Sequence, residues 1–290
     1  MNKQMASDPP PSRWPNGARA AISFTMDNLG EAQDVHKGTW RGPVGTHPSV
    51  REQLPRMLAL LSQHGVRATY FAEAWSLAVY PDAVAELRRR GHEVAWHGYQ
   101  HETWSSLSAA DEARSFERSF AAAAAAGIDA YEGFRPPGGT VPDAGRTYAL
   151  LARHGVRYAS PLADDDKGRF GVLDGLEGVV VLPFEWRAVD AFYYMDKFAG
   201  IRRAHGAPEA VLPPAEFRAF LLAKIDGVVR DNSFMSILFH PFLQTSEEKL
   251  ALMDEVLARI SADPDIWCAP CNQVARWVAE HPDLFPPEKS

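Results

Sequence analysis

The sequence is poor in the features that would tie it to an oxidising compartment, a membrane or a nucleic acid. Its 290 residues contain two cysteines, Cys268 and Cys271, too few for a disulfide framework. Their CxxC spacing also lacks the second pair that would complete a four-thiolate zinc site. In DIWCAPCNQVARWV they stand where a strand end runs into an amphipathic helix, so both thiols read as structural. No stretch approaches the roughly 20 apolar residues of a membrane span, and no membrane partner is expected. The opening MNKQMASDPPPSRWPNG carries no apolar run of the kind a signal peptide needs, so the expected compartment is the cytoplasm. There is no basic run either. Lys and Arg number 30 against 37 Asp and Glu, for a formal net charge of -7, which argues against a nucleic-acid partner. No internal repeat is visible.

What is present is an ordinary globular composition, 46% hydrophobic, sufficient for one large α/β domain. The Pro-rich, polar residues 1–18 are expected to be flexible or strapped to the surface, and residues 19–290 to form one domain without a linker-like break. Short β-prone runs at 21–26, 68–71, 93–96, 133–135, 158–160, 179–183 and 235–239 alternate with helix-period segments such as 50–64 and 81–90. That order is the pattern of parallel strands joined by crossover helices, and seven or eight repeats of it point towards a barrel. The Ala-rich segment 109–126 reads as a helix laid against the sheet. Residues 190–212 read as a long irregular loop.

Polar residues of chemical interest fall just after strand ends: Asp27 after the first, His97 after the third, Arg135 at the fourth and His240 after the seventh. In a parallel barrel all carboxyl ends open on one face, so side chains distant in sequence converge there. In WHGYQHE, His97 and His101 are four apart, a spacing that lets both imidazoles face one metal if the chain makes a helical turn. The bland reading of that pair is two hydrogen-bonded structural histidines. Asp27 closes the alternating run SFTMD, where a buried carboxylate needs a partner. In GFRPPGG the stiff flanking prolines would hold Arg135 for a bidentate pairing with Asp27. Glu31 reads either as a carboxylate behind the pocket or as a helix-start residue.

These motifs, TMDN, HGYQH, RPPGG, EWRAVDAFYY and LFHPF, resemble in content and order those of the polysaccharide deacetylase, or NodB-homology, superfamily, from about Ala20 to about Trp277. The resemblance implies an α/β fold, a distorted (β/α) barrel of about seven parallel strands, and attack of a metal-bound water on an acyl or amide carbonyl. It assigns Asp27 as base, Arg135 as its support, His97 and His101 as metal ligands and His240 as the acid, with Asp190 orienting His240. Trp186, Tyr193, Trp75 and Trp104, with Glu31, are expected around the substrate.

The departure from the family pattern lies in the first motif. The family's third, carboxylate ligand would fall at Asn28 or Leu29, and neither supplies a charge. Three arrangements stay open: Asp27 itself turns to the metal, Glu31 reaches in, or no metal binds. The expected cofactor is therefore a divalent metal of zinc type, held weakly or not at all. Relatives with an altered first motif resemble hydrolases of cyclic ureides or imides, in a branch shared with cytoplasmic peptidoglycan deacetylases. The expected activity is hydrolysis of a non-peptide C–N bond in a small soluble substrate, either by deacylating an N-acyl sugar or amine or by opening a cyclic amide. The rival is a binding or regulatory protein on a degenerate barrel. A homo-oligomer is compatible with either.

Overall fold

Along the first strand every residue is buried, yet the two faces differ in chemistry. Ile22, Phe24 and Met26 face the large apolar core under the surrounding helices, while the alternate residues Ser23, Thr25 and Asp27 are buried and polar. A strand has a side-chain period of two, so AISFTMD builds an apolar outer face and a polar inner ladder that ends in a carboxylate. A computed structural model describes residues 12–163, 170–172 and 178–286. Among these are nine strands: β1 (Ala20–Asp27), β2 (Thr69–Ala72), β3 (Glu93–Trp96), β4 (Gly133–Phe134), β5 (Tyr158–Ala159), β6 (Gly171–Val172), β7 (Val180–Val181), β8 (Phe234–Phe239) and β9 (Ile266–Cys268).

They form one sheet in the order β6-β7-β5-β4-β3-β2-β1-β8. The seven strands expected from sequence pair in parallel and curl into a distorted (β/α) barrel. β6, which was not expected, pairs antiparallel with β7. β9, the strand end read ahead of the CxxC helix, pairs in parallel with the first residues of β1, from Ala20↔Ile266 to Ile22↔Cys268.

The same in-and-out alternation runs round the barrel. Val94 and Trp96 of β3 and Met235, Ile237 and Phe239 of β8 enter the outer core; the intervening positions lead to His97 and His240. Trp96 anchors that core, with Trp104, Phe116 and Phe134 packed on its ring at 4.5–5.5 Å between centroids. The amino ends of the strands are closed by the helix Cys271–Glu280 and by Trp14, whose ring meets Phe285 at 5.0 Å and Phe170 at 5.8 Å. The Trp277 indole donates to the Arg13 carbonyl at 2.9 Å, so residues 12–18 lie packed against this closure. Residues 1–11 of the expected strap are outside the described residues. Both cysteine thiols are free, pushed up to about 12 and about 11, chiefly by burial.

The segment 190–212 departs from expectation. It contains the helices Asp190–Tyr194 and Ala199–Ala204, because the fully buried Arg202 donates to the carbonyls of Phe192, Met195 and Glu209 and gathers the chain round one guanidinium. No described helix is long and apolar enough to cross a membrane.

Candidate active site

At the carboxyl ends of the strands a cavity of about 410 Å³ is lined by Asp27, His97, His101 and His240, with Phe184, Trp186, Phe198 and Phe242 among its walls. Arg135 lies beneath its floor with no exposed surface. One guanidinium nitrogen, Nη1, donates to Asp27 Oδ1 at 2.7 Å and to Thr25 Oγ1 at 2.9 Å. The other, Nη2, donates to Ser160 Oγ at 2.9 Å and Ser236 Oγ at 3.0 Å. The expected bidentate fork on Asp27 is thus corrected: one nitrogen serves the carboxylate, and the rest of the group ties β1 to β8 and to the residue after β5. Phe71 and Phe184 cover its faces at 4.1 and 4.8 Å. This leaves Asp27 Oδ2 directed at the pocket, 3.8 Å from His97 Nε2.

The two histidines are brought together with ring centroids 4.8 Å apart, but not by a helical turn. The chain reverses through two left-handed residues, Gly98 at φ 76° and His101 at φ 59°. A Cβ at Gly98 would come within 2.8 Å of Glu102 Oε2 and 3.0 Å of Pro137 Cγ, so glycine is required there on both counts. His97 Nδ1 donates to the Arg135 carbonyl at 2.8 Å, which leaves a lone pair on Nε2. Burial, with the Arg135 charge adding to it, pushes the His97 ring down to about 3, and burial followed by the proximity of His97 holds His101 well below the ordinary histidine range. Both rings are neutral at neutral pH.

His240 is arranged in the opposite sense. Its Nδ1 donates to Asp190 Oδ1 at 2.6 Å, while its backbone N–H and the Gln244 amide donate to Asp190 Oδ2, each at 2.7 Å. Burial opposes charging this ring, but the Asp190 carboxylate and its hydrogen bond outweigh burial, and the ring is raised above the ordinary histidine value. The pocket therefore holds two neutral imidazoles and a third that is readily protonated.

Other sequence expectations meet a different environment. Glu31 is buried away from the cavity, accepting from Gly45 N at 2.6 Å and from the Tyr80 hydroxyl; it fixes the 43–47 loop. Trp104 belongs to the Trp96 core, Tyr193 packs on Phe217 at 4.6 Å, and Trp75, on the helix Ala74–Val79, is half-buried outside the cavity lining. Of the expected aromatic walls only Trp186 lines the pocket. Periodic aromatic residues on helices and strands mostly fill cores, and these follow that rule.

Two residues escaped the sequence reading. Glu73, at the end of β2, is fully buried and accepts from the Asn28 amide and from Leu29 N; burial, against these hydrogen bonds, pushes it up to about 7. Its strand-end position was the available signal. Gln33, whose Nε2 meets His101 Nδ1 at 2.6 Å, gave none.

The donor set does not fit a three-ligand metal site. Among the described residues no group of three or more His, Cys, Asp and Glu side chains is arranged to hold a metal ion. Leu29 is fully buried, Asn28 is engaged by Glu73, and Glu31 is engaged by Gly45 and Tyr80, while Asp27, whose Oδ2 lies 3.8 Å from His97 Nε2, is already held by Arg135.

Comparison with known proteins points one way. Residues 41–159 match the family described as Polysaccharide deacetylase. A peptidoglycan deacetylase of Helicobacter pylori is 22% identical over 272 residues, covering 83% of this chain and 86% of that protein. A Mycobacterium smegmatis crystal structure assigned to the polysaccharide deacetylases is 27% identical, with TM-score 0.79 over 97% of this chain and 98% of the other. Puue allantoinase has the same fold, with TM-score 0.76 at 20% identity over 95% of this chain and 96% of the other.

Proposed function

We propose that the chain is a member of the polysaccharide deacetylase superfamily, a deacetylase-like hydrolase of non-peptide C–N bonds, and that it cleaves an amide bond in a small soluble substrate by acid–base chemistry between Asp27 and His240. The observation that carries the reading is the opposed pair: a carboxylate with one oxygen tied by Arg135 and the other free, across one cavity from a histidine whose affinity for a proton is raised by Asp190.

In this reading Asp27 Oδ2 takes a proton from a water as its oxygen bonds to the carbonyl carbon. His240 Nε2 delivers a proton to the departing nitrogen as the C–N bond breaks. General acid and base each contribute on the order of 10²- to 10⁴-fold. Arg135 holds the base in place, and Asp190 holds the ring and its charge. No step is routed through a metal, since the donor set does not fit one.

The aromatic walls favour a flat substrate, and ring opening of a cyclic amide, imide or ureide is the primary reading. Similarity to the H. pylori peptidoglycan deacetylase supports deacylation of an N-acyl amino sugar as the second. A panel of cyclic imides, ureides and N-acetylated amino sugars, followed by mass spectrometry for addition of one water, separates the two. Turnover of none, with the protein folded, would instead favour a binding protein on this barrel.

A further inference from the structure

We infer that Gln33 sets the tautomer of His101, so that His101 presents an Nε2–H donor to the pocket while His97 presents an Nε2 lone pair. The inference rests on the proposal that the pocket handles an amide carbonyl. Two histidines that share a metal present two lone pairs. Here the partners of the two Nδ1 atoms differ in kind. His97 Nδ1 faces a backbone carbonyl, that of Arg135, at 2.8 Å; a carbonyl only accepts, so the hydrogen sits on Nδ1. His101 Nδ1 faces the amide nitrogen of Gln33 at 2.6 Å; an amide N–H only donates, so Nδ1 carries the lone pair and the hydrogen moves to Nε2.

The surrounding geometry makes this a built arrangement. His101 is held in a left-handed conformation at φ 59°, and Gln33 stands on the short helix Ala32–His36 that follows the first motif. Asp27 and Gln33 therefore reach the pocket from one connection, and both line it. One histidine accepts and its neighbour donates. That pair suits a water and a carbonyl: His97 Nε2 accepts from the attacking water beside Asp27 Oδ2, and His101 Nε2–H donates to the carbonyl oxygen as negative charge develops on it. The amide side chain at position 33 thereby turns a metal-ligand spacing into a hydrogen-bonding pair. A carboxylate at position 33 would reverse the choice, because it accepts from Nδ1–H and frees Nε2 for a metal, the carboxylate–histidine–metal relation.

Long-range 1H–15N correlation on uniformly 15N-labelled protein reads the tautomer of each ring, with His101 identified by comparison with His101→Asn. The wild type should show His97 protonated at Nδ1 and His101 at Nε2. Gln33→Glu should move the His101 hydrogen to Nδ1 and tighten zinc binding by about tenfold or more. A wild-type His101 protonated at Nδ1 would overturn the inference even if the variant failed to fold, and so would a Gln33→Glu variant with unchanged tautomer and zinc affinity. Neither readout involves turnover. Absence of amide hydrolysis would remove the proposed reaction and leave the tautomer assignment standing.

Discussion

Arg135 has become a different residue from the one its motif suggested. The stiff RPPGG turn predicts a side chain that supports Asp27, and it does so, but with one nitrogen; the remaining hydrogen bonds reach Thr25, Ser160 and Ser236 across the barrel. A lysine keeps the charge and loses the planar fork. Arg135→Lys should therefore lower turnover and also lower stability by on the order of 1–3 kcal/mol, because buried hydroxyls lose their guanidinium partner. Chemical denaturation of the variant checks it, and an unchanged midpoint would show that the serines do not need the guanidinium.

His240 carries a pH prediction with a definite sign. Asp190 raises the proton affinity of His240 above its ordinary value, so the acid remains protonated into a higher pH range and activity falls on the alkaline side as that proton is lost. Asp190→Asn removes the charge, lowers the affinity, and should shift the alkaline limb of kcat to lower pH. A limb that stays in place would mean that Asp190 only positions the ring.

Among the elements, the strands were legible and the local bends were not. Asp27, His97, Arg135 and His240 could be placed at strand ends because a strand's alternation carries its register to the last residue, and that register decides which side chains face inward. Ser160 and Ser236 follow the same rule and could have been found by it. The helical turn that the spacing of four allowed at 97–101 is not formed; the chain passes through left-handed Gly98 and His101, and at Gly98 the approach of Glu102 and Pro137 leaves no room for a side chain. The helices within 190–212 were missed because their organiser, Arg202, bonds carbonyls that no local pattern reveals.

The junction of β3 with the closing helix Cys271–Glu280 gives a further prediction. Glu93 accepts from Thr69 Oγ1 at 2.8 Å, Tyr158 at 2.9 Å and Asn272 N at 3.0 Å, and burial nonetheless pushes its carboxyl up to about 7 from 4.5. Between those two pH values the folded state binds more protons than the unfolded one, so this group's contribution to stability falls as pH rises through the window. Glu93→Gln cannot titrate. The difference in melting temperature between variant and wild type should move in favour of the variant from pH 5 to pH 8, and a constant difference would contradict the assigned shift.

At the scale of the whole molecule, one end of the barrel is sealed and the other is chemical. Trp14, β9 and the last helix close the amino ends, which leaves the carboxyl ends as the face where residues from four strands and the loops beyond them converge. The barrel supplies this frame, and the residues that follow β1 shape the pocket: Asn28 turns to Glu73, Leu29 enters the core and Gln33 meets His101. Those changes are mutually consistent with a pocket that works through hydrogen bonds and proton transfer. The central claim is that Asp27 is the base of an amide hydrolase. The direct test is kcat/KM of Asp27→Asn against wild type on a substrate accepted from the panel, with the fold verified by circular dichroism. The account predicts a loss of at least about 10²-fold, whereas a variant that retains wild-type turnover would contradict it.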